Sequence, residues 1–85
     1  HRIARTAGLV RLLGRDCRER PDGLEIAGSA APPPAGPRAF DTDQDHRLAM
    51  AAGVAMKAGC PLRPLAPAVV AKSFPAFWDL IEVRP

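Results

Sequence analysis

The 85-residue chain carries 12 Lys plus Arg against 9 Asp plus Glu, a net charge of +3, with 47% apolar residues, 10 Pro and 7 Gly. A chain of this length buries only about 60 to 65% of its unfolded surface, which excludes a self-contained two-domain enzyme with a deep cleft between lobes. The charge is small and scattered, and one Trp with no Tyr leaves little for base stacking, so no nucleic-acid partner is expected.

Residue 1 is His and helical periodicity begins at once, so the chain reads as a piece of something longer. Residues 2–14 space Ile3, Ala7, Val10 and Leu13 along one helical face, with Gly14 as C-cap. Cys17 to Arg20 and Leu24 to Ile26 are short alternating stretches joined by Pro21, Asp22 and Gly23, which predicts a hairpin. Residues 27–38, AGSAAPPPAGPR, have no periodicity and three consecutive prolines that cannot donate to a ladder, so they read as a Pro-rich loop. A second helix is expected from Asp45 as N-cap to Gly59, with Leu48, Ala51, Ala52, Ala55 and Met56 facing inward. The prolines of residues 61–67 allow a short edge strand at most. Ser73 is then expected to cap a third helix with Pro75 in its first turn, and Phe74, Phe77, Trp78 and Ile81 form an apolar stripe that reads as core. The fold class is therefore α/β (α+β): three helices with a hairpin and short strands.

The longest uncharged apolar stretch, Leu48 to Met56, is far too short for a membrane span. Neither a membrane partner nor a signal peptide is indicated, and the cytoplasm is the expected location. Cys17 and Cys60 form no CxxC pair and have only two His residues for company, so they read as buried thiols rather than metal ligands or a disulfide.

Each expected helix starts with cations: His1 and Arg2, His46 and Arg47, and Lys72 ahead of Ser73. A helix N-terminus carries about half a positive charge and prefers anions, so this arrangement suits a phosphate or carboxylate held between backbone N–H groups and Arg or Lys. The competing expectation is that Asp41, Asp43 and Asp45 neutralise Arg47 while Arg2 and Lys72 face solvent. The three aspartates match the first ligand positions of a calcium loop, but His46 and Ala52 stand where an EF-hand needs Gly and Glu. Nothing places a base beside Ser73, Cys17 or Cys60 for nucleophilic chemistry.

Asp45-His46-Arg47-Leu48-Ala49-Met50 resembles a signature of the 3-phosphoshikimate 1-carboxyvinyltransferase (EPSP synthase) family. Ala71-Lys72-Ser73-Phe74-Pro75, followed by Phe77 and Trp78, resembles that family's closing segment, and Arg2-Ile3-Ala4 resembles the end of its Lys-Glu-Ser/Thr-Asp-Arg-Ile segment. Three motifs in order cover residues 1–85.

The resemblance implies a two-lobed enolpyruvyl transferase fold of which this chain is the C-terminal portion of one lobe. It implies transfer of enolpyruvyl from phosphoenolpyruvate to shikimate 3-phosphate, by addition and then elimination of phosphate, in the shikimate pathway to chorismate and aromatic amino acids. No metal or organic cofactor is implied. Arg2, Arg47 and Lys72 would grip phosphoenolpyruvate, with His46 and Lys72 as auxiliary proton-transfer or positioning groups. The Lys-Glu dipeptide is absent and His1 stands where Asp is usual. The catalytic carboxylates and the opposite lobe therefore belong to the missing N-terminal part, and the 85 residues alone are expected to be inactive. The alternative is a non-catalytic remnant, or an anion-binding or assembly module, derived from such an enzyme.

Overall fold

Asp45 and Gly59 bracket the central helix, and both work by identifiable geometry. The computed structural model describes residues 2–28 and 36–85. Its elements in order are α1 (Arg2–Leu12), β1 (Cys17–Arg20), β2 (Gly23–Ile26), β3 (Arg38–Asp41), α2 (His46–Lys57), β4 (Leu62–Leu65), a 3-10 helix (Pro67–Lys72) and α3 (Phe77–Ile81). At the start of α2 the Asp45 carboxylate accepts from the Arg47 N–H, satisfying one of the donors that a helix leaves unpaired. At its end the N–H groups of Gly59 and Cys60 donate to the carbonyls of Met56 and Ala55, with Gly59 at φ +98°, a conformation that glycine adopts without a side-chain clash. The same pair of bonds closes α1, from Gly14 to Arg11 and from Arg15 to Val10.

β1 and β2 form the expected antiparallel hairpin, with Cys17 opposite Ile26 and Arg20 opposite Gly23. β3 and β4 form a separate parallel pair, Arg38 opposite Leu62 and Asp41 opposite Leu65, with α2 as the crossover between them. Pro64 is accommodated because a two-stranded sheet has only edge strands. Thr42, fully buried just past β3, donates from Oγ1 to the Leu65 carbonyl at 2.8 Å and ties the two strand ends together.

α2 is buried on two sides, which explains its small residues. Leu48 and Ala52 pack with Leu9, Phe40 and Leu62, flanked by Leu12, Leu13, Ala55 and Met56. Ala49 packs on the other side with Val69, Val70 and Phe77, flanked by Met50, Trp78 and Ile81. Gly53 shares this second side, where a Cβ would lie 2.6 Å from Phe77 Cε2 and 2.9 Å from Trp78 Cζ3. Phe77 meets Trp78 edge to face at 5.1 Å, and Trp78 Nε1 donates to the Pro67 carbonyl at 2.9 Å. Full burial of a side chain such as Leu48 or Phe77 contributes roughly 1.5 to 3 kcal/mol.

Several expectations need correction. β3 lies partly within the span read as loop, since Arg38 is already a strand residue, while Pro32 to Pro34 fall outside the described residues. In α1 the buried side chains are Ala7 and Leu9, with Ile3, Val10 and, just past the helix end, Leu13 half-buried, because the helix meets the hairpin as well as α2 and β3. In α2, Ala51 is exposed and Ala49 takes its place inside. Ser73 terminates the 3-10 helix, its N–H donating to Val70, and α3 begins only at Phe77, so Pro75 precedes the helix. Phe74 is therefore outside α3 and 39% exposed, although its ring still meets Phe77 edge to face at 6.0 Å. Cys17 and Cys60 are free and half-buried rather than buried, and the Cys17 thiol donates to the Ala7 carbonyl.

Candidate functional site

β3 delivers the chain to the N-terminus of α2 through a tight turn. Asp45 N–H donates to the Thr42 carbonyl at 2.9 Å, and the intervening Asp43 and Gln44 both have positive φ, 54° and 55°. Asp43 tolerates this region better than most residues, whereas Gln44 is there at some cost. The turn is held from below and from the side. Thr42 is anchored to β4, and Arg5 of α1 spans the acids, with Nη1 3.3 Å from Asp41 Oδ2 and Nη2 3.4 Å from Asp43 Oδ1.

Asp45 is the junction of the site. Its Oδ1 accepts from the Arg47 N–H at 2.8 Å, and its Oδ2 accepts from Arg2 Nε at 3.1 Å. Its side chain is 21% exposed against 57% for Arg2. Partial burial pushes the carboxyl pKa up, but the Arg47 N–H, the Arg2 guanidinium and the Leu48 N–H outweigh it and hold the group below its ordinary value of 3.8. Asp45 thus holds the Arg2 guanidinium at the helix end whose second residue is Arg47, with half-buried His46 between Asp45 and exposed Arg47.

The expectation that the three aspartates neutralise Arg47 is not met. Asp41 and Asp43 pair with Arg5, and Asp45 with Arg2, contacts that span 36 to 43 residues of chain and have no local signature. Among the described residues, the Arg47 guanidinium has no ion-pair partner.

Lys72 does not open a helix. It is the last residue of the 3-10 helix, where a cation faces the carbonyl end and is favourably placed. That helix packs against α2 through Val69, Val70 and Ala49, which sets the Lys72 backbone on an element adjoining the first turns of α2. His1 lies outside the described residues.

Arg5 and Thr42 are the site residues that sequence reasoning missed. Arg2 and Arg5, one helical turn apart on α1, carried a faint signal, since two cations at that spacing can face alternating acids. Among the described residues no group of three or more His, Cys, Asp or Glu is arranged to hold a metal, and the acids of the turn already engage arginines. Chemically, the arrangement is suited to presenting guanidinium groups to an anion, since the Arg47 and Leu48 N–H groups are already engaged by Asp45.

A family model described as EPSP synthase (3-phosphoshikimate 1-carboxyvinyltransferase) matches residues 1–81. The 3-phosphoshikimate 1-carboxyvinyltransferase of Syntrophobacter fumaroxidans is 47% identical over 70 residues, covering 82% of this chain and 16% of its own length. That of Pelodictyon phaeoclathratiforme is 42% identical over 71 residues with the same shares, and that of Limosilactobacillus fermentum is 40% identical over 84 residues, 96% of this chain and 19% of its own. The chain spans less than a fifth of the length of these relatives. With the match running through α1, the turn before α2 and the 3-10 helix alike, the chain belongs to the EPSP synthase (3-phosphoshikimate 1-carboxyvinyltransferase) family.

Proposed function

We propose that this chain is the C-terminal part of a 3-phosphoshikimate 1-carboxyvinyltransferase and supplies the phosphoenolpyruvate-holding side of its cleft. The reading rests on one observation above the rest: Asp45 holds the Arg2 guanidinium at the N-terminus of α2, the same helix end that carries Arg47. Phosphoenolpyruvate offers a carboxylate and a phosphate, planar and tripodal oxygen anions that match guanidinium forks. Arg2 and Arg47 hold these groups, and Lys72 adds a point charge that can exchange a proton with the departing phosphate. His46 borders the same end of α2 as a positioning or proton-transfer group. Fixed cations in a closed cleft stabilise the charge that builds up on the tetrahedral intermediate. The carboxylates that move protons at carbon, and the lobe carrying shikimate 3-phosphate, belong to the remainder of the protein.

The test is steady-state kinetics of the complete gene product, varying each substrate separately. Arg47→Lys keeps the charge but loses the two-pronged geometry, and should weaken transition-state binding by about 1 to 3 kcal/mol, the range for a charge-assisted hydrogen bond. Arg47→Ala should lose more, chiefly in phosphoenolpyruvate dependence. Wild-type kcat/KM for phosphoenolpyruvate in both variants would refute the anion-holding role of Arg47, whereas no turnover by the complete gene product would favour a non-catalytic remnant or assembly module.

A further inference from the structure

We propose that Asp45 is the positioning residue of this anion site, an inference that rests on the functional reading above. Its two oxygens do separate jobs. Oδ1 fixes the backbone of Arg47 through the 2.8 Å cap bond, and Oδ2 fixes the guanidinium of Arg2 at 3.1 Å. The bond to Arg2 uses Nε alone, and among the described residues the two terminal nitrogens of Arg2 have no partner. The end-on face of the guanidinium, which grips an oxyanion with two parallel bonds, therefore stays open.

Asp45 is itself well held. Its N–H is bonded to Thr42, Thr42 is fully buried and bonded to Leu65, and Arg5 engages Asp41 and Asp43, so neither neighbouring acid exchanges freely for Asp45 at Arg2. An exposed ion pair contributes little by itself. This one differs because the acid is mostly covered and also caps the helix. Two arginines beside a positive helix end repel one another, and Asp45 offsets that repulsion before any anion arrives. Asp45 itself touches no substrate and acts through Arg2 and Arg47.

Asp45→Asn in the complete protein separates the two jobs. Asn caps a helix as well as Asp does, but it is uncharged and its amide N–H₂ opposes Arg2 Nε. The expected result is a loss of about tenfold or more in kcat/KM for phosphoenolpyruvate, carried mainly by KM. The KM for shikimate 3-phosphate should remain near wild type, and the melting temperature should fall only by the small amount that one partly exposed ion pair contributes. In an Arg2→Ala background the same substitution, which keeps the cap bond to Arg47, should change kcat/KM by less than about twofold, since the guanidinium that Oδ2 holds is gone. Asp45→Ser, a second cap-preserving change, guards against a folding defect particular to Asn. Wild-type kinetics in both Asp45 variants, or an equal loss in both backgrounds, overturns the positioning role while leaving the anion site standing. If Arg2→Ala and Arg47→Ala themselves keep wild-type kinetics, the functional reading fails and this inference falls with it.

Discussion

Gly53 and Gly8 sit inside helices of the same chain in opposite surroundings, and replacing each by Ala gives a matched test of the packing. Alanine is favoured over glycine in a helix interior by roughly 0.5 to 1 kcal/mol, so propensity alone predicts that both variants become more stable. At Gly8 no heavy atom lies within 4 Å of a built Cβ, and that gain should appear undiminished. At Gly53 the new methyl would meet Phe77 Cε2 at 2.6 Å and Trp78 Cζ3 at 2.9 Å. Neither ring can easily withdraw: Phe77 is buried, the two rings meet edge to face, and Trp78 is tethered to the Pro67 carbonyl. Overpacking of this kind costs about 1 to 3 kcal/mol, which exceeds the propensity gain. The two variants should therefore differ by roughly 2 kcal/mol in opposite directions from the native chain. Urea unfolding followed by fluorescence of the single Trp and by circular dichroism measures this, with a shift of about 1 M in midpoint per kcal/mol for a chain of this size. If Gly53→Ala is stabilised as much as Gly8→Ala, the close approach of α3 to α2 is wrong.

Thr42→Val removes the donor to Leu65 and should cost about 1 to 3 kcal/mol, while Thr42→Ser keeps the hydroxyl and should lose less; equal stabilities in urea would show that the 2.8 Å bond is idle. The folded pKa of Asp45 is below its unfolded value, so its contribution to stability is complete above the ordinary 3.8 and disappears as pH falls past that value and through the folded one. The acid-side fall in unfolding free energy should accordingly be shallower in Asp45→Asn, and superimposable profiles would contradict the assignment. Finally, on the proposed function the purified 85-residue chain should not turn over phosphoenolpyruvate and shikimate 3-phosphate, since that reading assigns the facing lobe and the proton-moving carboxylates to the rest of the protein; measurable product formation would refute it.

The features legible in the sequence were those with local causes. Gly14 and Gly59 mark helix ends because only their own neighbours are involved, and Asp45 declares itself as a cap for the same reason. β3 escaped notice because it is four residues long, buries only Phe40, and pairs with a strand beyond an intervening helix. The two-sided burial of α2 blurred its period, so Ala51 and Ala49 exchanged places relative to expectation. Ser73 looks like a cap because Ser often is one, yet Pro67 starts a 3-10 turn that uses the Ser73 N–H to finish itself. Within the site, the residue types were readable and the ion pairs were not, since every arginine–aspartate ion pair there joins α1 to the end of β3 or the turn before α2.

That long reach has a consequence for the order in which the chain can assemble. α2 carries its own start and stop signals and can form from nearby residues, as can the β1–β2 hairpin. The parallel β3–β4 pairing requires α2 to be folded back first, and the Arg2–Asp45 contact joins residues 43 apart. Contacts that close such long loops form late and open early, because their entropy cost is recovered only after the local pieces exist. An opening in which α1 alone lifts away would remove Arg2 and Arg5 from the turn and leave Arg47 in place on its capped helix. The two arginines thus belong to different cooperative units, and their junction at Asp45 is where local opening would first divide the site.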